Sequence, residues 1–296
     1  MEPAMISRVR RFNRIVTQRV GALDDHFLAR DRPIGEARVL WEIAADGCEV
    51  RSLRSRLDLD SGYLSRLLRS LERAGLITVE PSGSDKRVRR ARLTPAGLAE
   101  RAVLDRRSDA LALSFLAPLS EAQRNRLVGA MSDVERLLTA AMVEIGGLDP
   151  AHPHARHCMR EYFAELDRRF EAGFDPSVSL SADDDELRPP AGLLLVATLR
   201  SEPIGCGALK FHDTGTTELK RMWVARSARG LGLGRRILTE LEAEAARTGS
   251  RVVQLETNKS LTEAIALYRS SGYVEVHAFN DEPYAHHWFE KRLSDK

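Results

Sequence analysis

The chain has 296 residues, a formal net charge of +2, 43% hydrophobic and 30% charged residues, and three cysteines. That length is enough for two domains, each with its own core, and no apolar run approaches the ~18 residues of a membrane span. Cys48, Cys158 and Cys206 lie far apart without metal spacing and the N-terminus lacks a secretory apolar stretch, so a cytoplasmic chain with no membrane contact and no metal is expected.

Charge is uneven. The first half is net basic, the second net acidic, and basic residues concentrate between 51 and 92, which points to nucleic acid as a partner. Val9, Phe12, Ile15, Val16, Val20, Leu23 and Phe27 recur at helical spacing and predict a helix over 5–28. A short helix follows from Glu36 to Ala45. Val50–Leu57, a break at Asp58-Leu-Asp60 and a longer helix over Ser61–Ala74 then make a helix-turn-helix. Asp60 or Ser61 is the N-cap, and Gly75 stops the helix. Leu64, Leu67, Leu68 and Leu71 form the buried face of that second helix. Ser61, Gly62, Ser65, Arg66 and Arg69 form the other, which suits a major groove, with Arg66 and Arg69 reaching guanine edges or phosphates. Leu76–Glu80 and Val88–Leu93 read as a short basic hairpin around Pro81–Arg87. Thr94 and Pro95 start a helix to about Phe115, and Ser120 caps another to about Glu144.

Ser61–Ile77 and the run Asp85-Lys-Arg87 through Leu93-Thr-Pro-Ala-Gly97 resemble the MarR family of winged helix-turn-helix regulators, over about residues 5–144. The resemblance implies a mainly α, winged domain at 1–145 that homodimerises on a pseudo-palindromic double-stranded DNA operator. It places Arg87 at the minor groove with Asp85 bracing the wing, and Arg89 joins the expected DNA-contacting set of Ser61, Ser65, Arg66 and Arg69. The alternative is that these arginines are a solvated helical face.

Residues 146–154, rich in Gly and Pro, read as a linker. His152, His154, His157 and Cys158 fit no standard zinc pattern. The second domain, 155–296, begins with a helix from Ala155 to Phe170. A loop over Phe174–Pro190 carries the acidic run Asp183–Glu186, and strands follow at Leu193–Leu199, Pro203–Phe211 and Thr217–Val224. The turn Arg229-Gly-Leu-Gly-Leu-Gly-Arg235 has the form R-x-x-G-x-G ahead of a helix, where glycines admit a phosphate to the backbone and the helix start aims N–H groups at it. The spacing is neither that of a dinucleotide fold nor of a P-loop.

Strand, glycine turn, helix, strand and a helix ending in Leu267-Tyr268 resemble, in that order, the GNAT superfamily of acetyl-CoA-dependent N-acetyltransferases, over roughly 155–293. The resemblance implies an α/β fold whose mixed, mostly antiparallel sheet is flanked by helices, with acetyl-CoA as co-substrate. It gives Met222 and Val224, Arg229, Gly230, Leu231, Gly232, Gly234 and Arg235 to the coenzyme, Glu218 to the base and Tyr268 to the acid that protonates the departing sulfur. Leu261 stands where many relatives carry Asn, and Asn258 is expected to take over part of that contact. Glu218 as a plain strand residue and Tyr268 as a core aromatic remain open. Tyr284, His286 and Trp288 alternate on the terminal strand and either line the acceptor pocket, with His286 an alternative base, or pack in the sheet.

The expectation is therefore a bifunctional regulator and N-acetyltransferase acting on a small-molecule primary amine. The alternatives are a regulator whose second half senses acetyl-CoA or an effector, and a protein-lysine acetyltransferase.

Overall fold

The computed structural model describes residues 2–23, 27–82, 85–180, 182–212 and 215–293, with side chains described except at 85–87. It divides into two units, Met1–Gly129 and Ala130–Lys296.

In the first unit, α1 (Pro3–Arg19), α2 (Ile34–Glu42), α3 (Val50–Leu57) and α4 (Ser61–Arg73) precede a hairpin of β2 (Ile77–Ser82) and β3 (Asp85–Leu93). The two-residue β1 (Cys48–Glu49), absent from the sequence reading, pairs with β3 and gives an antiparallel sheet of order β1-β3-β2. α5 (Pro95–Leu116) follows, and α6 (Glu121–Ala141) starts in this unit and continues past its end at Gly129. Local chemistry sets the boundaries. Asp58 turns left-handed at φ 50°, and the Asp60 side chain accepts from the Tyr63 N–H to cap α4. Thr94 accepts from the Gly97 N–H at the start of α5.

Leu40, Ile43, Leu53, Leu64, Leu71 and Leu104 are fully buried at the centre of this unit. The first helix ends at Arg19 rather than 28, because Gly21 turns left-handed at φ 68°. Phe27 then enters the core from a separate turn, edge-on to Trp41. α1 buries none of its residues, and Val9, Phe12 and Ile15 are 57%, 45% and 51% exposed.

In the second unit, β4 (Glu144–Gly147), β5 (Gly192–Leu199), β6 (Glu202–Phe211), β7 (Thr216–Val224), β8 (Val252–Thr257), β9 (Val274–Val276) and β10 (His287–Arg292) form one sheet of order β4-β5-β6-β7-β8-β10-β9. Every pairing is antiparallel except β7 with β8. α7 (Pro153–Arg169) packs Ala155 and Cys158 on one face, and α8 (Leu233–Arg247) packs Ile237, Leu238 and Leu241 on the other. α9 (Thr262–Ser270) follows β8. The α/β architecture with a mixed sheet flanked by helices is as expected.

Strand β4 falls in residues expected to end the first domain and open the linker. Its glycines read as breakers, but on an edge strand they lose little packing. Buried Val143 and partly buried Ile145 anchor it to the core. Among the described residues no helix is long and apolar enough to cross a membrane.

β7 pairs with β8 only from Thr216 to Glu218, opposite Val252 to Gln254. Beyond Glu218 the two strands have no ladder, and the opening between them holds the site.

Candidate active site

The glycine turn meets the physical needs of an anion cradle. Gly230 and Gly232 lie at φ 81° and 73°, where a side chain is strained, and a Cβ on either would meet no atom within 4 Å. Gly232 is the N-cap of α8 and no side chain caps that end. The first-turn N–H groups and the helix dipole are thus left for a ligand.

Above the turn is a cavity of about 570 Å³. Met222, Val224, Arg229, Gly230, Gly232, Gly234 and Arg235 all line it, as does Tyr268. Leu231 instead packs on the core. Both flanking arginines have protein partners. Arg229 Nη2 is 2.6 Å from each carboxylate oxygen of Glu165, which also accepts from Trp223 Nε1 at 3.1 Å. Arg235 donates to Ser270 Oγ at 2.7 Å, to Ser271 Oγ and to the Ser270 carbonyl. Backbone amides, more than either guanidinium, are therefore the donors open to a diphosphate. The donor set and the open space fit acetyl-CoA.

A second cavity of about 100 Å³ adjoins the first, and the two share Tyr162, Leu166, Met222, Leu261, Ala264 and Tyr268 as walls. Tyr268 is 5% exposed, and burial pushes its hydroxyl well above the ordinary tyrosine range, so it stays protonated. On the far side stand Phe170, Phe174 and Tyr284, with Lys220, Arg221, Glu256 and Glu282 supplying charge. Lys220 Nζ lies 2.6 Å from Glu256 and 3.0 Å from Glu218. Burial pulls this ammonium down, but the two carboxylates outweigh it and the net shift is upward.

Glu218 lines neither cavity. Its carboxylate meets Lys220 and, at 3.5 Å, His212. Glu256, which sequence reasoning passed over, lines the second cavity, as does Glu282. The signal was the triplet Glu256-Thr-Asn258, read only for its Asn. Asn258 lines the second cavity rather than the first, and both ends of its amide are engaged: Nδ2 donates to the Tyr284 carbonyl at 2.8 Å and Oδ1 accepts from the Ser260 N–H.

Tyr284 lines the second cavity, its ring 4.9 Å from that of Phe174. His286 and Trp288 line neither cavity; Trp288 donates to Asn280. The acidic run is paired with Arg156, Arg188 and Lys210.

On the first unit, Ser61, Arg66 and Arg69 are exposed on α4 and Ser65 is half-buried. Arg66 lies over the Tyr63 ring at 5.5 Å, and Arg69 donates to the Ser65 carbonyl. Ser61, Ser65 and Arg89 line one groove with Arg51 and Arg54 of α3, two arginines that sequence reasoning left unassigned. Asp85 and Arg87 fall in β3, and their side chains lie outside the described residues.

Residues 157–273 match the Acetyltransferase (GNAT) family and residues 31–88 match the MarR family. An IAA acetyltransferase of Azospirillum brasilense is 36% identical over 112 residues, which are 38% of this chain and 73% of that protein. An uncharacterised N-acetyltransferase of Schizosaccharomyces pombe is 32% identical over 135 residues, 42% of this chain and 78% of its own. Among solved structures, a GNAT-family acetyltransferase from Staphylococcus aureus Mu50 aligns at 15% identity with a TM-score of 0.45, over 51% of this chain and 99% of that one. The chain belongs to the GNAT family of acetyltransferases, as an N-acetyltransferase with acetyl-CoA as co-substrate, and carries a MarR-family region ahead of that domain.

Proposed function

We propose that the protein is a DNA-binding regulator that also acetylates a small-molecule primary amine. The observation carrying the catalytic half is the pair of adjoining cavities, one over a helix start and one lined by charged and aromatic groups, that share the Tyr268 wall.

Bound acetyl-CoA supplies a thioester carbonyl open to attack by an amine. The chain's own residues do the rest. Amides around Gly230–Leu233 hold the diphosphate. The backbone of Met222–Val224, with no β8 partner, serves the pantetheine arm and the developing oxyanion. Glu256 takes the proton that the incoming ammonium must lose, Lys220 fixes that carboxylate, and Glu218 acts through Lys220. Tyr268, held protonated by burial, gives its proton to the departing sulfur.

The regulatory half rests on the exposed face of α4 and the arginine-lined groove beside it. The uncovered apolar residues of α1 support a homodimer on a pseudo-palindromic operator.

The test is thiol release from acetyl-CoA by the full chain with a panel of primary amines and amino acids, together with duplex binding by the same preparation. Gly232→Glu, which puts a carboxylate where the diphosphate belongs, is the control and is expected to abolish acetyl-CoA binding. Tight acetyl-CoA binding without turnover on any acceptor would make the second unit a sensor.

A further inference from the structure

Four charged side chains line the acceptor cavity, and three are answered inside the protein. Lys220 and Glu256 pair at 2.6 Å. Glu282 is buried and accepts from Ser179 Oγ at 2.9 Å, from the Leu180 N–H at 2.7 Å and from the Tyr284 N–H at 3.2 Å.

Arg221 is the exception. Its guanidinium lies 4.5 Å over the Phe163 ring and 5.8 Å over that of Tyr162, donates from Nη2 to the Ala182 carbonyl at 3.1 Å, and leaves Nε buried without a partner. Among the described residues no carboxylate stands within ion-pair distance of it. A guanidinium carries its charge at every working pH, so this half-buried cation has rings and one carbonyl beside it but no counter-ion.

Its placement is costly too. Arg221 sits at φ 59° opposite the register shift between Cys206 and Ala208, a left-handed non-glycine residue in a strand. Such strain persists where surrounding structure holds it, and bulges of this kind re-aim side chains beside active sites.

We propose that Arg221 reads the carboxylate of the acceptor, so that the substrate is an α-amino acid with an apolar or aromatic side chain. This rests on the acetyl-transfer reading above and narrows it. The amine end goes toward Glu256, the carboxylate to the fork of Arg221, and the side chain to the wall of Phe170, Phe174 and Tyr284. Polyamines are disfavoured, since a second cationic end would meet Arg221, which has no carboxylate partner among the described residues. The transfer itself balances: the α-nitrogen forms a bond to the acetyl carbon, the carbon–sulfur bond breaks, the nitrogen's proton leaves to Glu256, and the thiolate is protonated by Tyr268.

The experiment measures thiol release by the full chain with L-phenylalanine, L-tyrosine, L-leucine and L-methionine, each beside its amide, and with phenethylamine and spermidine. For at least one acid, kcat/KM should exceed that of its amide by about 100-fold, because a buried donor fork is left unanswered by the amide. Arg221→Met should bring that ratio close to one. Arg221→Lys, a point charge without the fork, should fall between. Acetyl-CoA affinity by calorimetry reports that each variant is folded. If Arg221→Met loses that affinity, the wild-type ratio and the Arg221→Lys ratio decide.

Amides equal to acids, or an equal loss on both in the variants, overturns the assignment. Release with phenethylamine or spermidine but with no acid overturns it while leaving the acetyltransferase reading intact. No release with any acceptor overturns both.

Discussion

Glu165, a buried carboxylate on α7, and Arg229, an exposed arginine of the glycine turn, form an ion pair, with Nη2 of the arginine 2.6 Å from both carboxylate oxygens. The arginine is a brace for the turn before it is a phosphate ligand. Arg229→Ala should cost about 1 kcal/mol of stability, since buried Glu165 loses this partner but keeps Arg169 at 3.5 Å and the Trp223 N–H. Acetyl-CoA affinity should fall less than about tenfold. Denaturant melts and calorimetry read the two effects separately. Lost binding at unchanged stability would make it a direct ligand instead.

Glu256 and Glu218 flank the same ammonium, but of the two only Glu256 lines the second cavity. Glu256→Gln should lower kcat by about 100-fold, the usual scale of general-base loss. Glu218→Gln should act more weakly, through Lys220. The reverse order of effects in steady-state kinetics would return the base role to Glu218.

Tyr268→Phe should lower kcat about 100-fold with little change in the KM for acetyl-CoA, because the proton matters only as sulfur departs. Its hydroxyl titrates above the ordinary tyrosine value, so alkaline activity loss below about pH 10 has another source. Unchanged kcat would leave Tyr268 as a packing residue against Tyr273 and Phe289.

Glu100 on α5 accepts from Arg30 Nε at 2.8 Å and lies 3.3 Å from Arg32. The Arg30 hydrogen bond, working against burial, holds its carboxyl below the ordinary range. A depressed folded value means stability present above the unfolded pKa of about 4.3 and lost as pH falls through the folded one. Glu100→Gln should therefore cost about 2 kcal/mol at pH 7 and less as pH falls below the unfolded value. Urea midpoints at pH 7 and pH 3 test this, and an equal loss at each would show that the charge is idle.

Arg66 is exposed on α4, its guanidinium stacked over Tyr63. On a mixed-sequence duplex, Arg66→Ala should weaken binding about tenfold and reduce the slope of log affinity against log salt by about one unit. Acetyl-CoA affinity should not move. A slope unchanged by the substitution would take Arg66 off the phosphates.

Local signals carried the elements well. Asp60 and Thr94 cap helices where hydroxyl or carboxylate oxygens precede periodic leucines, and Gly75 and Gly232 turn left-handed where a helix stops or starts. The misreadings arose where local preference met a tertiary opportunity. Gly146 and Gly147 look like a breaker, yet an edge strand tolerates them once Val143 and Ile145 are anchored. The apolar positions beyond Val20 continue a helical period that Gly21 cuts.

From the order of residues alone came the two-part organisation, the glycine turn at the start of α8 and the tyrosine of the last helix. Each is written in contiguous spacing, which backbone sterics and dipoles convert directly into geometry. Only the tertiary structure decided which carboxylate lines the second cavity, that Asn258 is engaged elsewhere, and that Arg221 has no counter-ion among the described residues. Those facts depend on where β7 parts from β8 and on which distant side chains neutralise one another, and charge pairing across 36 residues, as between Lys220 and Glu256, leaves no local pattern to read.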